Sequence, residues 1–312
     1  MSRIHEALKK AEQERTVQPA EPVTLPPEVM EAAPMVSSGA ISTPVDIIAQ
    51  TAAGTAYKND FLRFEDILAR CTHPEWHPNP NVNVFFSTDA GTHGAEQFRT
   101  LRSRLYQLRS TQNLRTLLVT SSIPGEGKTF VTTNLAQAIV RQPDRRALII
   151  DADLRLPRLH VPLGAPRSPG LSNYLRGQVD EVSVIQNDLH GNLCIIPGGD
   201  EVTDPSELLS NGRMKVLLDR IAPVFDWVII DSPPCLVVSD ASVLMDLCDG
   251  ALMVVAAGVT PSESAQRACQ EFSARNLIGV VLNRAEEFSS YGEHAYYYGY
   301  SRNPVGKLEK QI

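Results

Sequence analysis

The sequence is most informative first in what it lacks. No run of lysine and arginine stands out, and the formal net charge is −7 over 312 residues. Polyanion binders usually carry a basic patch or a high pI, so nucleic acid is not expected as a partner. No apolar stretch approaches the roughly 18–20 residues that a membrane-spanning helix needs. The opening MSRIHEALKK lacks the apolar segment of a secretory leader. A cytoplasmic chain is therefore expected, reaching the inner face of a membrane only through a partner. Five cysteines, at 71, 194, 235, 248 and 269, show no CxxC or metal-ligand spacing and read as reduced and mostly buried. Aromatics are sparse at 6%, yet five of the eight tyrosines fall within the last 22 residues. They are Tyr291, Tyr296, Tyr297, Tyr298 and Tyr300, set among Ser, Gly, Glu, His and Asn, with no apolar periodicity around them. That composition suits an exposed tail better than a core element.

What is present falls into blocks. Residues 1–16 read as an amphipathic helix with Ile4, Ala7, Leu8 and Ala11 on one face. Residues 17–46 hold six of the 22 prolines and read as a linker. Residues 47–84 form a connecting segment with a short helix at FLRFEDILAR, extended chain at HPEWHPNPNV and a short strand at NVFFS. The main domain spans 85–288 and the tail 289–312. The domain opens with GAEQFRTLRSRLYQLRS, whose Phe98, Leu101, Leu105 and Leu108 recur at helical steps. Six apolar runs follow, at 115–121, 146–151, 193–197, 227–231, 251–257 and 277–283, with helical patterns at 127–141, 206–222, 240–248 and 262–275. Short Val-, Ile- and Leu-rich strands alternating with helices predict an α/β domain, a doubly wound and mostly parallel sheet with helices on both faces. A partly disordered N-terminal extension precedes it.

The first strand runs into SSIPGEGKT, close to the pattern GxxxxGK[ST], with Ser122 where the first glycine is usual. Gly125 and Gly127 let backbone amides turn towards phosphate oxygens, and the following helix N-terminus adds partial positive charge. Lys128 reaches the β- and γ-phosphates and Thr129 offers a hydroxyl to Mg²⁺. Pro124, Glu126 and Phe130 complete the candidate nucleotide loop. Two further strands end in acid. RALIIDADLR places Asp151 and Asp153 at one strand end, and WVIIDSPP places Asp231 at another. Strand C-termini line the ligand crevice of such sheets. Buried carboxylates there need a partner, which Mg²⁺ supplies. Thr129, Asp151 and Asp231 are the candidate metal ligands. In extended geometry Asp151 and Asp153 project to the same side, one towards metal and one towards an incoming hydroxyl. Arg155 pairs with these carboxylates or with phosphate.

These motifs resemble those of the bacterial tyrosine kinases that regulate capsule and exopolysaccharide assembly. The likeness extends through GLSNYLRG, LCIIPGG, DPSELL and VVLNR, over residues 85–300. MSRIHEALKKAEQ is similar to the start of members from exosortase-type exopolysaccharide loci. The resemblance implies a P-loop NTPase fold, ATP with Mg²⁺, and autophosphorylation in trans on the C-terminal tyrosines. It assigns catalysis to Lys128, Asp151, Asp153 and Asp231, and adenine contact to Asn283 and Arg284. Glu96, Arg99 and Arg102 match the family's ExxRxxR motif, which implies assembly into a homo-oligomeric ring. It also implies a transmembrane chain-length regulator as activator and a tyrosine phosphatase as antagonist. Cys235 departs from the aliphatic residue expected after the two prolines. The nearest rival is a regulatory P-loop ATPase of the partition or division-site type. Its signature Lys before the loop glycines is absent, since Ile123 and Pro124 occupy that stretch. A nucleotide-gated structural partner of a polysaccharide export complex is the third reading.

Overall fold

A computed structural model describes residues 62–85, 93–187 and 191–285. All belong to the larger of two compact units, Asn59–Ile312. The expected N-terminal helix, the proline-rich linker and the tyrosine-rich tail lie outside the described residues. Seven strands form one sheet: β1 (Thr116–Ser121), β2 (Ala147–Asp151), β3 (Gln186–Asn187), β4 (Leu193–Ile196), β5 (Trp227–Asp231), β6 (Gly250–Ala256) and β7 (Leu277–Asn283). Their order is β3-β4-β2-β5-β1-β6-β7. Every pairing is parallel except β3 with β4. All six expected strands are present. β3 was not expected, because two residues are too few to show a pattern.

β1, β2 and β5 are buried at every position. Their unbroken apolar runs follow from helices covering both faces. The helices are α1 (Phe64–Arg70), α2 (His93–Arg109), α3 (Lys128–Val140), α4 (His160–Leu163), α5 (Leu171–Leu175), α6 (Pro205–Ser210), α7 (Arg213–Ile221), α8 (Asp240–Met245) and α9 (Ser262–Ser273). One core lies between the sheet and α1 and α5–α9, and contains Leu118, Leu148, Ile150 and Phe272. The other lies under α2 and α3 and contains Leu117, Val119, Ile149, Ile229 and Trp227. The single helix expected at 206–222 is two, α6 and α7. Asn211 and Gly212 separate them, and Gly212 sits at φ 81°, where a residue without Cβ is favoured.

Residues 62–84, expected within a connecting segment, pack into the domain together with Phe85. Phe64, Ile67 and Cys71 enter one core, and Trp76 and Phe85 the other. Of the strand expected at NVFFS, part lies outside the described residues, and the described residues 83–85 form no strand and turn instead. Polar side chains of α3 hold them. The Asn134 Oδ1 accepts from Val84 N at 2.9 Å, and its Nδ2 donates to Val82 O at 3.0 Å. Gln137 Nε2 donates to the fully buried Asn83 at 2.6 Å, and Asn83 donates to Pro162 O at 2.6 Å. This strap therefore bridges α3 and α4. Among the described residues, no helix is long and apolar enough to cross a membrane.

Candidate nucleotide and phosphoryl-transfer site

The loop between β1 and α3 has the backbone of an anion cradle. Gly125 and Gly127 adopt φ 83° and 95°, the left-handed region that glycine enters without penalty. At Gly127 a second constraint operates, since a Cβ there would lie 2.1 Å from Asn283 Nδ2. Lys128 and Thr129 open α3, so the free backbone amides of its first turn belong to the loop's end. Lys128 is buried.

Glu126 turns inward rather than towards a ligand. Its fully buried carboxylate accepts from Ser122 Oγ at 3.0 Å, from Ile123 N at 2.6 Å and from Thr260 Oγ1. Ser122, in place of the usual glycine, is thus one of the hydrogen-bond donors that shape the loop. Asn283 Nδ2 donates to Glu126 O at 2.8 Å and Arg284 Nη2 to Gly125 O at 2.8 Å. Both residues therefore brace the loop carbonyls from the end of β7. Phe130 packs edge-on against Phe98 of α2, 5.7 Å between centroids, so its role is to seat α3. Pro124 and Gly125 are exposed at the loop tip. Thr260 carried no motif, and only its spatial contact with Glu126 reveals it.

The acidic residues gather beside the loop. β2 and β5 pair in register with Asp151 opposite Asp231. Thr129 Oγ1 donates to Asp231 Oδ2 at 2.6 Å, and Leu159 N to Asp151 Oδ2 at 2.8 Å. The other oxygen of each carboxylate, Oδ1, is buried with no hydrogen-bond partner. Burial pushes the Asp231 carboxyl up to about 7, against the pull of Thr129 and Lys128. Burial and the neighbouring Asp231 hold Asp151 well above the carboxylate range. Two facing buried carboxylates, each with a free oxygen and a raised pKa, fit a divalent cation of the Mg²⁺ type, which takes oxygen ligands. Thr129 is adjacent to that position.

Asp153 lies past the strand end, in the turn that begins after Ala152, and is half-buried. Desolvation raises its pKa, opposed by the bond from Leu156 N and by Lys128. Arg155 is placed on Asp240 and Ser206, not on Asp151, Asp153 or the loop. Sequence could not reveal this, because Asp240 lies 85 residues further along the chain. On α2, Glu96 and Arg99 form an exposed ion pair, while Arg102 Nη1 donates to Ala138 O of α3 at 2.6 Å. Arg102 thus ties α2 to its own domain. The five tyrosines of the tail lie outside the described residues.

No protein-family model matches the chain. It is 31% identical over 217 residues to tyrosine-protein kinase YwqD of Bacillus subtilis (strain 168), covering 69% of this chain and 91% of the relative. It is 35% identical over 210 residues to tyrosine-protein kinase etk of Escherichia coli (strain K12), covering 66% of this chain and only 29% of that larger protein. Among solved structures, the kinase domain of Escherichia coli tyrosine kinase ETK superposes with a TM-score of 0.63 at 30% identity, over 71% of this chain and 91% of that one. The P-loop, the facing carboxylates and these likenesses agree: the chain belongs to the bacterial tyrosine-protein kinases.

Proposed function

We propose that this chain is an ATP- and Mg²⁺-dependent protein-tyrosine autokinase that phosphorylates the C-terminal cluster Tyr291, Tyr296, Tyr297, Tyr298 and Tyr300 in trans. The observation that carries the reading is the Asp151–Asp231 pair with its two unpartnered oxygens, set against a prefolded phosphate loop. Such an arrangement leaves two buried carboxyl oxygens unsatisfied and disfavours ionisation of both groups until a cation arrives. Mg²⁺ held by Thr129, Asp151 and Asp231 would neutralise charge on the triphosphate. Lys128 and the amides of residues 125–129 hold its β- and γ-phosphates. The loop is prefolded by Glu126, Thr260, Asn283 and Arg284, so little reorganisation accompanies binding.

A tyrosine from a second copy enters beside Asp153. Its phenolic oxygen bonds to the γ-phosphorus as the bond to the β–γ bridging oxygen breaks, and ADP leaves. The phenolic proton passes to the Asp153 carboxylate. The catalytic set is then Lys128, Asp151, Asp153 and Asp231, with charge stabilisation and alignment carrying most of the rate. Control of exopolysaccharide or capsule export follows as the role, with a transmembrane regulator as activator and a ring of copies, contacted through Glu96 and Arg99, as the working assembly.

Mass spectrometry after incubation with ATP and Mg²⁺ tests this directly. Phosphotyrosine confined to residues 291–300 is the expected result. ATP hydrolysis without any phosphotyrosine would move the chain to the regulatory ATPases instead.

A further inference from the structure

Asp240 has no part in the mechanism above, yet it is the one fully buried side chain in an ion pair among the described residues. It opens α8 and receives three hydrogen bonds. Arg155 Nε donates to Oδ2 at 2.8 Å and Arg155 Nη2 to Oδ1 at 3.1 Å, a two-pronged pairing. Ser206 Oγ, from the first turn of α6, donates to Oδ1 at 2.5 Å and accepts from Arg155 Nη2 at 2.9 Å. A closed three-residue cluster thus joins the turn after β2, the start of α6 and the start of α8. Burying a charged carboxylate is a poor way to gain stability, since desolvation offsets most of the attraction to its partner. It is a good way to fix one geometry.

The geometry fixed is that of the turn carrying Asp153. Leu156 N donates both to Asp153 O and to Asp153 Oδ1, at 3.1 Å each, so the aspartate and the turn hold each other. Arg155 lies inside that turn. Further along, Pro157 packs against Gly198, and Leu159 N is bonded to Asp151. The turn is therefore anchored at Asp153, Arg155, Pro157 and Leu159. Without Asp240, a guanidinium two residues from Asp153, and 40% exposed, would be free to swing onto its carboxylate.

We infer that Asp240, together with Ser206, is a positioning residue for phosphoryl transfer: it anchors the 153–156 turn and engages the Arg155 guanidinium that would otherwise close on Asp153. This rests on the kinase reading above. It also makes Arg155 part of the frame rather than a phosphate ligand.

The test uses the full chain as enzyme and, as acceptor, the full chain carrying Lys128→Met, so that label on the acceptor arises only in trans. Asp240→Asn lowers kcat about tenfold or more with KM for ATP within about twofold, the signature of lost alignment rather than lost ground-state binding. Adding Arg155→Gln to Asp240→Asn restores part of that loss, by about threefold or more, because the freed cation is removed. A purely structural role for Asp240 would not give that recovery. Ser206→Ala, at a half-buried site, lowers kcat about two- to threefold at unchanged KM and serves if Asp240→Asn does not fold. Wild-type kinetics for Asp240→Asn or, failing that, for Ser206→Ala would overturn the inference. So would a double variant no better than Asp240→Asn, or an Arg155→Gln enzyme with KM for ATP raised tenfold and kcat unchanged. Absence of phosphotyrosine from the wild-type enzyme would instead remove the kinase reading, and this inference with it.

Discussion

The two ends of the sheet are built from the same strands but treat charge in opposite ways. At the end where β1, β2 and β5 begin, the carboxylates accept from two donors each. Asp249 Oδ2 accepts from Arg115 N and Thr116 N at 2.8 Å each. Asp226 accepts from Arg145 Nη1 and Arg146 N at 2.9 Å each. At the end where the strands finish, Asp151 and Asp231 are more deeply buried and each keeps an oxygen without a partner. One end stores stability in completed hydrogen bonds. The other leaves them incomplete, as the proposed Mg²⁺ site requires. A buried carboxylate oxygen without a partner is what marks Asp151 and Asp231 as candidates for the proposed site, independently of any relative.

The contrast can be broken by substitution. The largest effect belongs to the ligand end: Lys128→Met or Asp153→Asn should abolish tail phosphotyrosine, with a thermal midpoint close to wild type, read by immunoblot and calorimetry. Wild-type labelling by either variant would sink the site assignment. Next, Asp226→Ala at the opposite end should lower stability by about 1–3 kcal/mol, because it strips partners from Arg145 and from the Arg146 amide, while kcat changes little. Chemical denaturation with a parallel kinase assay checks both halves of that statement.

Asp231→Asn should do the reverse of Asp226→Ala. It removes a buried charge while an amide oxygen still accepts from Thr129, so the metal-free protein gains roughly 0.5–2 kcal/mol near neutral pH and loses activity. The pH dependence follows the same sign. Because the folded pKa of Asp231 is raised to about 7, the folded state binds more protons than the unfolded state between the ordinary carboxylate range and pH 7. Stability of the metal-free protein therefore falls as pH rises through that window. Mg²⁺ binding should strengthen over the same range, since the ligands must be ionised. A melting series from pH 4 to 8, with and without Mg²⁺, would show a metal-free stability that declines with pH and a Mg²⁺ effect that grows. A flat metal-free series would contradict the assignment. The smallest effect is expected at Asn283→Ala, which removes a brace from Glu126 O. It should raise KM for ATP a few-fold, in line with about 1 kcal/mol for one lost hydrogen bond.

Much of the fold was readable because buried parallel strands spell themselves as apolar runs, and all six long ones did. The P-loop was readable because glycine, lysine and threonine at fixed spacing have a backbone reason to be there. Asp151 and Asp231 stood out as charges ending apolar strands. What remained hidden depended on distance along the chain. Arg155 and Asp240 are 85 residues apart, and Thr260 meets Glu126 across 134. No local pattern announces such pairs. Asn134 and Gln137 of α3 are buried polar residues whose partners at 82–84 could only be found in three dimensions.

That strap changes what counts as the portable unit of this protein. A chain cut at residue 85 would keep every nucleotide motif and still lose Trp76, Phe64 and the amide of Asn83, leaving α3 with unanswered polar groups against its own core. The catalytic cassette is thus larger than its motifs. Its upstream margin, residues 62–85, is held by the same helix that begins with Lys128, so the strap and the phosphate cradle share one rigid element.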